Sequence, residues 1–235
     1  MALEGGSNVI GAQTPHRLAA IAQQPQAHPP RVHAALPGPF RQLLGEDAWL
    51  TLPVPVQKRF ERVLAPCESA VFIGEVASSR LSLFGRLCAQ LARPLGAPLP
   101  LRTLAHTPSA VIVTEDPLGH AQCWTRLYHE PGRLPQVISS MKRFDGPTGL
   151  EECVGAGIGM ALTVHVEDRA LVIRSAGYFW RPRRRRFRIP AWLTPGSMEV
   201  VHREERTGPF SFTLTVTHAL FGETIRQVAF FRDAC

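Results

Sequence analysis

The chain of 235 residues carries a formal net charge of +7, with 26 Lys and Arg residues against 19 Asp and Glu residues. Hydrophobic residues make up 45% of it and charged residues 19%, which excludes disorder over its whole length. It has no run of about eighteen apolar residues, so no membrane-spanning helix is expected. The N-terminus lacks the pattern of a secretory signal, and we expect a cytoplasmic location.

Metal and redox chemistry find little support in the cysteine and histidine patterns. The five cysteines are an odd number, and none of them forms a CxxC pair. This argues against a zinc site and against a disulfide framework, and favours free thiols. The histidines are scattered without HxH or HExxH spacing. We therefore expect neither a metal nor a cofactor.

The first 35 residues differ in composition from the rest of the chain. Gln and Pro crowd together between residues 23 and 30, with few apolar anchors. Such a segment buries too little surface to offset its chain entropy, so residues 1–35 are predicted to be a disordered or loosely packed tail. Residues 36–235 are predicted to form a single domain.

Apolar periodicity predicts three helices at the start of this domain. Pro39 begins a short helix that Gly45 ends. A second helix spans about 55–64, and a third spans 78–93, with 70–76 as a short extended piece between them. The buried face of the third helix is expected to consist of its apolar residues, namely Leu83, Phe84, Leu87, Cys88 and Leu91.

After residue 100 the apolar period changes from 3.6 to 2 residues, which indicates strands. About eight strands linked by short turns are predicted, at 111–114, 122–129, 137–144, the hairpin 159–174, 198–205, 210–218 and 224–231. Strands that follow all the helices favour an α+β fold with an antiparallel sheet. Because eight such strands must protect their edges, we expect a strongly curved sheet, a barrel or half-barrel, with the N-terminal helices packed against it.

A curved sheet with one apolar face is the usual anatomy of a ligand pocket. Trp124, Arg126 and Tyr128 alternate onto one strand face, and Phe210 to His218 alternate as a second apolar face. The predicted ligand-binding residues are the aromatic, basic and histidine side chains on such faces or close to them, namely Trp124, Arg126, Arg188, Trp192, His202 and His218.

Two other functions remain open at this point. Glu152 together with His202 or His218 could form an acid–base pair, which would make the protein an enzyme. One of Glu151 and Glu152 is expected to be buried against an arginine such as Arg126, either as a structural ion pair or as part of an anion clamp.

The loop from Arg181 to Arg188 is the second alternative, as an interaction module for anionic surfaces. A solvated basic loop accounts for the same pattern. No recognition motif for RNA or DNA is present, so nucleic acid is not expected as a partner.

The glycine run from Gly155 to Gly159 invites a dinucleotide-binding interpretation. The fingerprint GxGxxG lies between a strand and a helix, whereas here the third glycine is one position early and a strand follows. The run is therefore predicted to be a bent or bulged strand where two backbones approach closely.

Several strings, in this order and spacing, resemble one protein family. They are Phe40 to Gly45, Cys123 to Arg126, Leu150 to Glu152 leading to Gly155 and Gly157, Arg188 to Gly196, and His218 to Gly222. Over about residues 38–233 the chain resembles the bacterial domain of unknown function 4166. Ala219 stands where that family usually has Pro, and the arginine run at 183–186 is richer than usual.

The resemblance implies no assigned activity. Members of the family occur alone or behind an NAD(P)-binding domain of the saccharopine-dehydrogenase-like or short-chain-dehydrogenase-like type. This implies an accessory or ligand-binding role, with an NAD(P)-dependent oxidoreductase as a possible partner. Together, residues and resemblance favour a domain that holds an apolar, amphiphilic or lipid-like small molecule in the concave face of the sheet.

Overall fold

The computed structural model describes residues 37–65, 68–96, 99–116, 121–183, 185–206 and 208–234. The prediction of a tail over residues 1–35 lies outside these residues. In the described part of the chain the helices are α1 (Pro39–Leu44), α2 (Glu46–Thr51), α3 (Val54–Glu61) and α4 (Leu83–Leu91), with 3₁₀ turns at Arg93–Leu95 and Ala191–Leu193. None of these helices is long and apolar enough to span a bilayer.

The strands of the same residues form one antiparallel sheet. They are β1 (Ser69–Leu81), β2 (Ala105–Glu115), β3 (Ala121–Tyr128), β4 (Gln136–Arg143), β5 (Glu151–Gly155), β6 (Ile158–Glu167), β7 (Ala170–Trp180), β8 (Phe187–Ile189), β9 (Ser197–Glu204), β10 (Phe210–His218) and β11 (Gly222–Asp233).

Ten of these strands close into an up-and-down barrel. Their order around the barrel is β1, β2, β3, β4, β5, β6, β7, β9, β10 and β11, and β11 pairs back with β1. The short strand β8 pairs with the end of β7 beside β9. A barrel-like, mainly antiparallel sheet is what the sequence predicts, and closure satisfies the edges that an open sheet would expose.

The predicted count of about eight strands is too low. Strand β5 has only five residues and β8 only three, which is too short for a period of two to stand out. Residues Ser78 to Leu81 resemble the start of a helix in sequence, yet they belong to strand β1. They pair with β11, and this pairing extends β1 to Leu81. Pairing with the neighbouring strand β11 thus decides the conformation of a segment whose local pattern favours a helix.

Helix α4 also differs from its prediction in place and orientation. It follows β1, so the helices do not all precede the sheet, and it begins at Leu83, where the Ser82 hydroxyl accepts a hydrogen bond from the Gly85 amide at 3.0 Å. Gly85 and Ala89 are its buried residues, whereas the leucines predicted to be buried are exposed. A Cβ at Gly85 would lie 2.2 Å from the Thr224 carbonyl oxygen, so the helix rests on the backbone of β11 by its small residues.

The connections between antiparallel strands fall at two ends of the barrel. At one end, called the α1–α3 end, lie these three helices and the connections β2–β3, β4–β5, β6–β7 and β9–β10. At the other end, called the α4 end, lie α4, the connections β3–β4, β5–β6 and β10–β11, and the segment 181–196 between β7 and β9.

Aromatic side chains pack at the α1–α3 end. Phe40 and Trp49 are buried, and the ring of Phe40 meets those of Phe60 and Phe144 edge to face, at 5.0 and 5.4 Å between centroids. Edge-to-face pairs of this kind add to the stabilisation that apolar burial supplies. Helices α1 to α3 therefore bury their aromatic residues against this end of the barrel, while Leu50 and Val54 stay exposed.

Two local predictions are confirmed in detail. Asp168 and Arg169 form the β6–β7 turn with φ of 47° and 61°. The glycine run is a close approach of backbones: the β5–β6 pairing shifts register after Cys153, and a Cβ at Gly159 would lie 2.8 Å from the Glu152 carbonyl oxygen. No helix follows the run, in keeping with the rejection of a dinucleotide site.

Candidate functional site

The barrel encloses a cavity of about 350 Å³. Inward side chains of β2 to β11, together with Phe60 from α3 and Leu91 from α4, line it. Eight strands give an interior just wide enough to be filled by side chains or to hold one small ligand, and the interior widens with each added strand. Ten strands therefore leave space that the side chains do not fill.

Most of the cavity wall is apolar. Three neighbouring strands show the pattern, with Phe212, Leu214 and Val216 from β10, Met198 and Val200 from β9, and Ile173 from β7. The predicted inward face of β10 is thus confirmed for Phe212, Leu214 and Val216, as is the shared face of Trp124, Arg126 and Tyr128 on β3.

A cluster of charged and polar side chains interrupts this wall on β3, β4 and β5. The Glu152 carboxylate lies 3.5 Å from Nη2 of Arg126 and 3.4 Å from Nζ of Lys142. It accepts a hydrogen bond from the Ser140 hydroxyl at 2.5 Å, and Ser140 accepts one from Nη1 of Arg126 at 3.2 Å. The predicted burial of a glutamate against Arg126 is therefore observed, with Lys142 as a second cation.

Strand register brings these four side chains together. Lys142 pairs directly with Glu152 across β4 and β5, while Ser140 pairs with Trp124 across β4 and β3. Residues two apart on one strand share a face, so Ser140 and Lys142 both point inward, as Trp124 and Arg126 do. The cluster is thus built on three adjacent strands and held by their ladders.

Electrostatics in the cluster are unbalanced. Two cations, Arg126 and Lys142, face one carboxylate, so the net charge is +1 when Lys142 is protonated. Burial lowers the pKa of Lys142, Arg126 lowers it further and Glu152 opposes both, which leaves it at about 8. Burial alone would raise the pKa of Glu152, but Lys142 and Arg126 hold it at about 2. The carboxylate stays ionised, and the charge of Lys142 is the variable one.

Trp124 covers the lysine from the adjacent strand. Its ring centroid lies 4.5 Å from Nζ of Lys142, a cation–π contact, and its indole N–H donates to Gln122 at 3.3 Å. An indole face stabilises the ammonium without neutralising its charge. The contact therefore fixes the position of the lysine and leaves its positive charge toward the cavity.

Farther around the barrel, β11 contributes a different polar group. Gln227 lines the cavity, and its buried side-chain oxygen has no hydrogen-bond partner among the described residues. Strands β1 and β2 separate it from β3, the nearest strand of the charged cluster on that side. A buried acceptor normally finds a donor, so this oxygen is free to accept one from a bound molecule.

The cavity reaches the surface at the α4 end. Leu91 and Leu193 both line it, yet their exposed fractions are 68% and 60%. Side chains that are at once exposed and cavity-lining mark the rim of an opening. Arg188 and Trp192 lie in the segment 181–196 together with Leu193, and both are exposed. The structure therefore places them at the entrance and not among the cavity-lining residues.

His202 is buried at the α1–α3 end, outside the cavity lining. Its Nε2 lies 3.1 Å from Nη1 of Arg59, which also pairs with Glu204 at 3.0 Å. Because an arginine can only donate, Nε2 is the acceptor and the imidazole is neutral. Burial and the charge of Arg59 lower the pKa of His202 to about 3.

His218 also lies outside the cavity lining, against α4. Its Nδ1 accepts a hydrogen bond from the Leu220 amide at 3.1 Å, and its ring packs 4.9 Å from that of Phe84. Glu152 lines the cavity whereas the two histidines do not, so the structure does not bring the suggested acid–base pair together in one cleft.

Glu151, next in sequence to Glu152, points away from the cavity and anchors the arginine-rich loop. Arg181 reaches its carboxylate at 2.6 Å, and Arg186 forms a second ion pair with it. The guanidinium of Arg186 also lies 3.9 Å from the ring centroid of Phe179. Two of the loop's arginines thus have structural partners, which leaves Arg183, Arg185 and Arg188 exposed.

Sequence reasoning missed Lys142 and Ser140 for a physical reason. On β4 the alternate residues Val137 and Met141 are the more apolar set, which predicts that they face the core. The structure shows the reverse: Val137 and Met141 are exposed, while Ser140 and Lys142 are buried. One signal in the sequence pointed to Lys142. It lies on the strand that directly precedes Glu152 in the chain, and consecutive antiparallel strands usually pair, whereas the partner of Glu152 was sought on β3.

A search for relatives of this chain identifies one family. No curated protein matches the chain, and no solved structure matches it either. Residues 52–231 match the model of a family described as a domain of unknown function, DUF4166, and this match covers most of the chain. A closed barrel with an internal cavity is compatible with a ligand-binding module. The chain belongs to the family of the domain of unknown function DUF4166.

Proposed function

We propose that this protein binds an anionic amphiphile inside the barrel, with the acidic head group at Arg126 and Lys142 and the apolar tail along the cavity wall. One observation carries this proposal. Two cationic side chains in the wall of an apolar cavity share a single carboxylate, that of Glu152.

An unbalanced charge in this place favours an anion. Buried charges are costly unless they are paired. Glu152 is the shared counter-ion of Arg126 and Lys142, so one positive charge of the cluster is not neutralised. A carboxylate or phosphate head group would complete two ion pairs. Arg126 suits such a group because its guanidinium can donate two parallel hydrogen bonds to it.

The reversed pattern of β4 supports a binding role for the cluster. This strand buries Ser140 and Lys142 and exposes Val137 and Met141, which costs stability compared with the opposite arrangement. Violations of the apolar pattern that persist in a folded protein are typical of functional sites. The cost is offset if the inward polar residues hold a ligand.

The remaining wall indicates the rest of the ligand. It is predominantly apolar, and the volume of about 350 Å³ lies within the range of roughly 300–1,000 Å³ that small-molecule pockets occupy. An apolar tail matches this wall, and the free oxygen of Gln227 offers an acceptor for a hydroxyl or amide along it. A molecule of this kind would pass from water into the cavity through the opening at Leu91 and Leu193.

A pair of ligands with the same tail tests the head-group assignment. Dodecanoate and dodecanol are titrated into delipidated protein by isothermal calorimetry. We expect dodecanoate to bind at least about tenfold more tightly, because only its carboxylate pairs with the cationic cluster. Native mass spectrometry of the protein before delipidation checks for a copurifying acidic lipid.

Two variants locate the effect at the cluster. In Arg126→Met and in Lys142→Met one cation remains to neutralise Glu152, so the preference for dodecanoate is expected to fall about tenfold while dodecanol binding is unchanged. Arg143→Met is the matched control, since Arg143 adjoins Lys142 on β4 and pairs with Asp145 at the surface. Equal affinity for the two ligands, or no binding of either, would contradict the proposal.

A further inference from the structure

Helix α4 exposes a stripe of leucines at the α4 end. Leu83, Leu87 and Leu91 lie four residues apart on one helix face, with exposed fractions of 85%, 54% and 68%. The opposite face is held against β11, where Gly85 approaches the Thr224 carbonyl and the Ser82 amide donates to the same oxygen at 2.9 Å. The helix cannot turn its leucines inward without losing these contacts, so the stripe faces outward in the folded protein.

The stripe runs into the rim of the cavity. Leu91 lines the cavity with Leu193, and Trp192 beside Leu193 is exposed as well. The segment after these two residues is tied to the same part of β11 as α4, because the hydroxyl of Thr224 donates to the Pro195 carbonyl at 2.9 Å. Leucines of α4 and the tryptophan of the 3₁₀ turn therefore belong to one apolar surface around the entrance.

Backbone contacts extend this surface to a second aromatic pair. The 3₁₀ turn that follows α4 lies against the β5–β6 turn, where a Cβ at Gly155 would be 2.5 Å from the Leu95 carbonyl oxygen. The β5–β6 turn in turn accepts a hydrogen bond from the indole of Trp180 at the Ala156 carbonyl, at 3.2 Å. Trp180 and Phe187 are both half-exposed, with ring centroids 6.2 Å apart.

Arginines surround this apolar surface with little acidic charge to balance them. Exposed arginines in the segments at the α4 end include Arg86, Arg93, Arg183, Arg185 and Arg188. None of them forms an ion pair with a residue in the described parts of the chain. In sequence, the connections at the α4 end contain one acidic residue, Glu130, and it pairs with Arg102 at 3.4 Å.

We propose that the α4 end docks on an anionic membrane surface, with Leu87, Leu91 and Trp192 entering the lipid interface and the surrounding arginines on acidic head groups. Leucine and tryptophan partition into the bilayer interface, and basic residues beside them add attraction to anionic lipids. A protein partner would need its own acidic and apolar pattern, whereas an anionic bilayer presents both features everywhere. Docking here places the cavity entrance against the bilayer.

Sedimentation with vesicles tests this docking. The full chain is mixed with vesicles of phosphatidylcholine alone and of phosphatidylcholine with phosphatidylglycerol, at low and high salt. We expect binding to the anionic vesicles that weakens with salt, and at least about tenfold less binding to the neutral ones. Equal binding to both, or no binding to the anionic vesicles, would overturn the docking.

Surface variants separate the two components. Arg185→Ser with Arg188→Ser should lower the partition coefficient about fivefold for each arginine removed. Leu87→Ser with Trp192→Ser should lower it at least about tenfold. The control, Leu50→Ser with Val63→Ser, removes two exposed apolar residues at the α1–α3 end and should leave binding unchanged. An equal loss in the control would overturn the assignment to the α4 end.

Two further measurements separate membrane docking from self-association and from ligand binding in the cavity. If the surface instead joins two copies of the chain, sedimentation velocity will show a dimer that Leu87→Ser with Trp192→Ser abolishes, and this result would overturn the membrane assignment. Arg126→Met changes the cavity and not the surface, so it should retain vesicle binding. A failure of ligand binding and a failure of docking are thereby separable.

Discussion

The two ends of the barrel differ in how their helices place large apolar residues. At the α1–α3 end, three helices bury Phe40 and Trp49. At the α4 end, a helix of similar length rests on Gly85 and Ala89 and leaves Leu87 exposed. The first arrangement stabilises the fold, and the second gives up apolar burial around a cavity entrance.

The two ends also differ in the charge of their strand connections. Each of the four strand connections at the α1–α3 end contains an acidic residue, namely Asp116, Asp145, Asp168 and Glu205. The connections at the α4 end contain one acidic residue and many arginines. One barrel thus carries a helix-covered end with residues of both charges and a basic, apolar-rimmed end, and the second has the character of a binding surface for anions.

The largest expected effect contrasts an aromatic residue of one end with a leucine of the other. Phe40→Ala should lower the free energy of unfolding by about 3–5 kcal/mol, because Phe40 is fully buried between two aromatic rings. Leu87→Ala should change it by less than about 0.5 kcal/mol, because the side chain is exposed. Urea denaturation followed by tryptophan fluorescence measures both.

A large loss in Leu87→Ala would show that the α4 leucines are covered in solution. The contrast between the ends would then be wrong, and the docking surface with it.

Neighbouring glutamates provide the second contrast. Glu152→Gln leaves two inward cations without a carboxylate and should cost about 3 kcal/mol of unfolding free energy. Glu151→Gln should cost less, because Arg181 and Arg186 are both partly exposed and can turn to water, whereas Lys142 is buried with Glu152. Chemical denaturation compares the two variants.

Dodecanoate affinity sharpens this comparison. Glu152→Gln increases the positive charge of the cavity and should bind dodecanoate more tightly than the unchanged protein, whereas Glu151→Gln should not. Equal responses of the two variants would remove the distinction between the inward and outward glutamate.

Acid should weaken the α1–α3 end through His202. Its pKa is lowered from 6.5 to about 3 in the folded protein, so between these values the unfolded chain binds a proton that the folded chain does not. Stability should therefore fall as the pH falls, by about 1.4 kcal/mol per pH unit below about pH 6. The groups facing His202 are Arg59 from α3 and, through it, Glu204.

Denaturation curves at several values between about pH 6.5 and pH 4.5 measure this slope. In that window the carboxyl of Glu152, whose pKa is also lowered, stays ionised and contributes little. His202→Gln should reduce the slope, and His165→Gln, at an exposed histidine, should not. An unchanged slope in His202→Gln would contradict this assignment.

The smallest expected effect is the pH dependence of ligand binding. Lys142 has a pKa of about 8, so it loses its charge as the pH rises through this value. Dodecanoate affinity should fall about threefold between about pH 7.5 and pH 8.5, because binding then requires uptake of a proton. Calorimetry at these values measures it.

The other groups facing the cluster hold their protonation state over this window. Glu152 remains charged, and burial raises the pKa of Tyr178 and of Cys88, which keeps both neutral. Lys142→Met should therefore abolish the dependence, and its persistence in that variant would assign it to another group.

Local alternation was enough to predict a large part of this structure. A period of two places Trp124, Arg126 and Tyr128 on one face and Phe210 to His218 on another, since successive side chains of a strand point to opposite sides. The curved antiparallel sheet and the Asp168–Arg169 turn follow from the same short-range patterns. These features depend only on neighbours in sequence.

Tertiary structure alone decided the features on which function depends. Strand β11 pairs with β1 and closes a barrel of ten strands, and this closure creates the cavity. The register of β4 against β5 turns Lys142 inward, although the pattern of β4 favours the opposite face. Contact with the β11 backbone exposes the leucines of α4, and packing against Arg59 takes His202 out of the cavity. Each of these depends on residues far apart in the chain, so the residue types and spacing within one segment do not specify it.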